Sequence, residues 1–100
     1  VLSEERLPAP FDQIPTAMEQ GIDSVAPNWR GFYVPGNAEE ASYDWWVDAM
    51  NGLYKTQEWK DIMAKNGLMP FHKSGEEFTQ FVKAQTRDIQ VLSKDIGLIK

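Results

Sequence analysis

The sequence contains no cysteine, so it has neither a disulfide framework nor a thiolate metal site. That absence leaves the compartment open, because a larger secreted protein can do without disulfides. Histidine occurs once, as His72, with no serine or cysteine at a recognisable spacing to act as a nucleophile beside it. The seven glycines form neither a GxGxxG turn nor a phosphate-binding loop. No apolar run approaches the roughly 18 residues that a membrane span needs. Bases are scarce at first: residues 1–54 hold only Arg6 and Arg30 against nine acids, a balance of −7. Residues 55–100 hold eight bases against six acids, a balance of +2. Neither half has a basic stripe, which disfavours nucleic acid as a partner and an anionic bilayer as a surface.

One hundred residues, 42% of them hydrophobic and with charges of both signs, suit a single folded domain with one modest core. The chain opens Val1-Leu2-Ser3, with no initiator methionine and no signal peptide. Val-Leu reads as the tail of a strand entering from upstream. The expectation is a piece of a larger protein.

Taken in order, residues 1–23 read as a connector and a short helix. Pro8, Pro10 and Pro15 block regular structure. Thr16 with Glu19 three residues on is a capping-box pattern, and Gly21 offers a left-handed stop, so the helix is Ala17 to Gln20. Residues 24–36 read as a strand whose regular part, Asn28 to Val34, is aromatic and β-branched. Trp29, Gly31 and Tyr33 would share one face and Arg30, Phe32 and Val34 the other, a strand covered on two sides. Residues 37–66 read as two helices. Asn37 is the expected cap of the first, with Ser42, Trp45, Trp46, Ala49, Met50 and Leu53 as its apolar face and an end near Tyr54. Thr56 caps the second, whose Trp59, Ile62 and Met63 point inward, and Asn66-Gly67 ends it. Residues 68–72 read as a short strand. Ser74 and Glu77 form a second capping box for the C-terminal helix of 74–97, with Phe78, Phe81, Val82, Gln85, Ile89, Leu92 and Ile96 as the buried stripe.

Few residues carry chemistry. Glu39, Glu40, Asp44 and Asp48 are spaced along one helix, but a hard cation needs ligands converging from several directions, and a solvated face is the commoner arrangement. No pair of carboxylates stands out for acid–base work. Four tryptophans, Trp29, Trp45, Trp46 and Trp59, either pack in a core or stack on a ligand; adjacent Trp45 and Trp46 cannot point the same way. Arg30 is the sharpest case. A guanidinium in an apolar strand needs a carboxylate. An internal Asp or Glu would supply one, and so would a ligand held by two parallel hydrogen bonds.

The order ERLP, IPTAMEQG, NWRGFYVPGN, YDWWVDAM, TQEWKDIMAKNGLMPF and SGEEFTQFV resembles the C-terminal part of the substrate-binding proteins of tripartite tricarboxylate transporters, the TctC or Bug type. The matching positions are Pro15-Thr16, Glu19 and Gly21, then Trp29-Arg30-Gly31, Pro35-Gly36, Glu58-Trp59, Asn66-Gly67 and Gly75-Glu76-Glu77-Phe78. The chain departs from the pattern at Ala38, where many members have proline, and its YDWWVDAM helix is similar to one branch of the family only. The resemblance covers nearly all of this chain and roughly the last third of a family member.

The resemblance implies an α/β fold, the C-terminal part of a two-lobed periplasmic binding protein of the type II-like class, with short strands and about four helices. It implies a non-catalytic, periplasmic solute-binding protein that captures a small organic acid, a di- or tricarboxylate, and delivers it to the membrane permease. Ligand-binding falls to Arg30 and Trp29, with most of the site outside this chain and no cofactor, metal or nucleic acid involved. An apolar surface left uncovered would make the chain self-associate. The alternative is a free-standing protein-interaction module that uses exposed aromatic residues, with a small enzyme ranked last for want of a nucleophile–base set.

Overall fold

The computed structural model describes residues 1–100. Its elements are a 3-10 turn, Met18–Gln20, and three helices: α1, Glu40–Tyr54; α2, Gln57–Lys65; and α3, Gly75–Asp95. There is no strand and no sheet. The α/β expectation is therefore corrected to an all-helical architecture, and neither residues 24–36 nor 68–72 form a strand. The reason is hydrogen bonding. A β-rich composition makes a strand only when a second extended segment offers a ladder. Pro27 and Pro35 donate nothing, and Arg30, Gly31 and Phe32 enter no backbone–backbone hydrogen bond. Two compact units meet within this same stretch, Val1–Tyr33 and Val34–Lys100.

In the first unit, residues 1–2 bond to two later segments. Ala17 donates to the Val1 carbonyl at 2.7 Å and Ala26 to the Leu2 carbonyl at 2.9 Å. The buried centre is Thr16 and Ala17, at 3% and 6% exposure. The capping box at Thr16 forms as expected: Glu19 N–H donates to Thr16 Oγ1 at 3.1 Å, and Thr16 N–H donates to Glu19 Oε2 at 2.8 Å. A cap of this kind stabilises a helix end by about 1 kcal/mol. The turn it starts is 3-10 rather than α and stops at Gly21.

In the second unit, α2 begins as its sequence predicts, with Thr56 Oγ1 accepting from Trp59 N–H at 3.3 Å. It ends in a Schellman turn. Gly67 has φ +65°, Leu68 N–H donates to the Met63 carbonyl and Gly67 N–H to that of Ala64, which uses two carbonyls that the helix leaves over. The end of α3 is built the same way on Gly97, with Leu98 donating to Ser93 and Gly97 to Lys94. Helix starts are less regular. Asn37 lies in a turn closed by Ala38 N–H to the Pro35 carbonyl, and Glu39 takes the N-cap position of α1. The second capping box does not form. Ser74 Oγ donates to Asn51 Oδ1 at 2.8 Å, and Glu77 pairs with Lys73 at 2.8 Å, so both expected partners are engaged elsewhere.

The apolar faces are also redistributed. On α1 the half-buried residues are Tyr43, Val47, Ala49, Met50, Asn51 and Tyr54, whereas Trp45, Trp46 and Leu53 of the expected inward face are exposed. On α2, Trp59 and Met63 are half-buried but Ile62 is exposed. Along α3 the stripe is half-buried from Phe78 through Gln85 and then uncovered, with Ile89, Leu92 and Ile96 each more than half exposed. Phe81 stands edge-on to Phe71, with ring centres 5.4 Å apart, and Lys73 Nζ lies 5.8 Å from both rings. The Trp59 indole N–H is buried without a partner.

Candidate functional site

Arg30 and Trp29 lie in the extended end of the first unit. Arg30 is exposed, and no Asp or Glu of the chain pairs with it. Trp29 beside it is half-buried. Of the two partners open to the Arg30 guanidinium, the internal carboxylate is not found. The side chain projects from backbone bounded by Pro27 and Pro35, with Phe32 and Tyr33 strongly exposed close by.

The best-formed polar cluster of the first unit involves a residue that sequence reasoning passed over. Arg6, in the segment ERLP, holds Glu19 through both carboxylate oxygens: Nε donates to Oε1 and Oε2 at 2.9 Å, and Nη2 lies 2.8 Å from Oε1. Arg6 Nη1 also donates to the Asp12 carbonyl at 3.2 Å. Glu19 thus closes the capping box with one oxygen while both accept from Arg6. The Arg6 hydrogen bond, followed by that of the Thr16 backbone, lowers the Glu19 carboxyl to about 2, and Glu19 in turn raises Arg6. Burial opposes both shifts. Because Glu19 has all its acceptors engaged by its own chain, this cluster is a clasp that fixes residues 6–19. No spacing rule marks it, because the contact joins residues 13 apart across an irregular segment.

The second unit gathers Asn51, Tyr54, His72 and Ser74. Asn51 Oδ1 accepts from His72 Nε2 at 2.7 Å and from Ser74 Oγ at 2.8 Å. The Tyr54 and His72 rings stack with centres 4.1 Å apart and planes 17° from parallel. The Ser74 hydroxyl is directed to the amide oxygen and not to the imidazole, so the pair is not arranged for a base to activate a nucleophile. Gly75, at φ +57°, follows directly, and a side-chain carbon there would sit 3.8 Å from Val47 Cγ1. These contacts join the C-terminal half of α1 to the start of α3.

Glu39, Glu40, Asp44 and Asp48 are exposed and unpaired, and no group of three or more His, Asp or Glu side chains gathers at metal-binding distance. Trp45 and Trp46 meet edge to face on the surface of α1, with ring centres 4.9 Å apart. No helix is long and apolar enough to cross a membrane. Comparison of the chain with protein-family models, with curated proteins and with solved structures found no match.

Proposed function

We propose that the chain belongs to an extracytoplasmic solute-binding protein that captures a small di- or tricarboxylate and delivers it to the permease of a tripartite tricarboxylate transporter. The observation that carries the reading is Arg30. It sits in the Trp-Arg-Gly motif, is exposed, and has no carboxylate of its own chain to neutralise it. A guanidinium is built for bidentate recognition of a carboxylate, and Trp29 beside it offers an apolar wall that would strengthen the ion pair by excluding water.

The ordered motifs add support. Arg6 of ERLP and Thr16 and Glu19 of PTAMEQG, separate pieces of the resemblance, are joined by five short polar contacts. That role belongs to the binding protein itself and involves no covalent chemistry. The periplasm is the compartment that fits it.

The test is a thermal-shift screen of di- and tricarboxylates on the full-length protein, with neutral sugars as controls and the Arg30→Ala variant run in parallel. An acid that raises Tm in the parent and not in Arg30→Ala is the expected result. If no carboxylate raises Tm, the transport reading falls. If one does so equally in the variant, Arg30 is not its ligand.

A further inference from the structure

The surface of α1 carries more aromatic area than its own fold uses. On a helix of about 3.6 residues per turn, Val47, Asn51 and Tyr54 share one side, and that side meets Ser74, Gly75 and His72. Trp45 and Trp46 lie on the other side. They are 62% and 52% exposed and, with Ala41 and Ser42, line a shallow hollow. Leu53, 42% exposed, extends the apolar surface on the Trp46 side. Tryptophan is highly buried on average, and a contiguous exposed apolar patch rimmed by polar residues marks an interaction surface. The edge-to-face contact of the two rings, at 4.9 Å, holds them as a preformed relief on a rigid helix.

The charge around this relief selects the occupant. Glu40, Asp44 and Asp48 run along α1 beside Ala41 and Trp45. All three are exposed and none forms an ion pair. No Lys, Arg or His occurs between Arg30 and Lys55, so the surface of α1 has no cation of its own. We propose that the Trp45–Trp46 face of α1 is a protein-docking surface for a lysine- or arginine-bearing amphipathic segment of another polypeptide. The apolar side of that segment would cover the indoles while its cations pair with Asp44 and Asp48. Cations also bind favourably over indole faces, so the aromatic and acidic elements favour the same partner. This face is separate from Arg30 and Trp29 and would bind such a segment whether or not the chain carries a carboxylate.

A synthetic helix of leucine and lysine serves as the probe, with a control peptide bearing glutamate at each lysine. Binding to the whole chain is followed by calorimetry and by fluorine NMR of 5-fluorotryptophan-labelled protein. The expected result is saturable binding of the lysine peptide, shifts confined to the Trp45 and Trp46 resonances, and weakening as salt is raised. Trp45→Ser/Trp46→Ser and, separately, Asp44→Asn/Asp48→Asn should each lower affinity about tenfold or more, with unchanged circular dichroism confirming that the helices persist. The charge variant changes no apolar packing and keeps the test decisive if the tryptophan variant unfolds. Equal binding of the two peptides, or lysine-peptide binding indifferent to the charge variant, overturns the proposal. So does partition of the protein onto phosphatidylcholine vesicles through the same indoles, or self-association that the tryptophan variant abolishes, since those outcomes give the face to a lipid surface or to a second copy.

Discussion

Glu19 is the residue whose ionisation the fold uses most directly. Its carboxyl titrates at about 2 against an ordinary 4.5, so the folded state binds this proton more weakly than the unfolded chain does. By linkage, the carboxylate's contribution to stability is complete above the ordinary value and disappears as pH falls toward 2. Thermal unfolding of the parent and of Glu19→Gln, followed from pH 6 down to pH 2, should show the parent ahead at the upper end and the difference closing through that window. A constant difference across the whole range would mean that the clasp acts by shape and not by charge. The Thr16–Glu19 pattern was legible because a capping box is local, three residues long and defined by chemistry. Arg6 was not, because its bond to Glu19 spans 13 residues and nothing in spacing specifies a contact that the intervening prolines set. Arg30 was read as needing a carboxylate inside a strand. With no strand formed, its guanidinium is solvated, and the desolvation that would have demanded an internal partner is absent.

Helix ends and helix faces were legible to different degrees. The start of α2 follows from its Thr56 cap and the ends of α2 and α3 from Gly67 and Gly97, all of which act within one or two turns, whereas α1 begins after Glu39 and α3 after Ser74 with no side-chain cap. At the end of α2, Gly67 adopts φ +65°, and a side-chain carbon there would touch nothing within 4 Å. Gly67→Ala should therefore cost only the left-handed backbone penalty, about 1 kcal/mol, read as a lowered urea midpoint with an unchanged slope. A change in slope would show that more than the turn has been altered. Which side of a helix faces inward is a tertiary property. In α1 the apolar residues occupy two arcs, and the spacing of Trp45, Trp46, Met50 and Leu53 marks the larger one. The contacts of Asn51 with His72 and Ser74, and of Tyr54 with His72, fix the other arc inward. Two side-chain hydrogen bonds and a ring stack, all more than 15 residues apart in sequence, outweigh the hydrophobic count. At α3 the Ser74–Glu77 box was a sound local pattern defeated by the same contact, since the Ser74 side chain is turned toward Asn51 Oδ1 and the Glu77 carboxylate toward Lys73, away from their capping positions.

For the whole molecule, the uncovered end of α3 has a consequence in solution. Ile89, Leu92 and Ile96 lie 59%, 58% and 61% exposed along one stripe, and surfaces of this kind drive association. Sedimentation velocity over a concentration series should show species larger than a monomer, reduced by Ile89→Lys/Leu92→Lys; a single monomeric species at high concentration would contradict this. The fold class was misjudged at this scale. Period-two patterning and β-branched composition identify a segment suited to a sheet, but a sheet also requires a neighbouring edge, and no residue in a single segment encodes whether one is present. The resemblance carried the same assumption, because motifs of a known family bring the family's pairing partners with them.

The meeting of the two units within the exposed run that contains Phe32, itself 76% exposed, makes that run the chain's scission point. A protease needs several residues of accessible, extended backbone to seat in its cleft, and chymotrypsin prefers large aromatic side chains at the bond it cuts. Brief digestion under native conditions should cut first after Phe32 and release two pieces that correspond closely to the two units, while the bonds after the equally aromatic Trp45 and Trp46 stay protected by the helical turns that contain them. The clasp at Glu19 would then travel with the shorter, N-terminal piece and the indole face of α1 with the longer, C-terminal one.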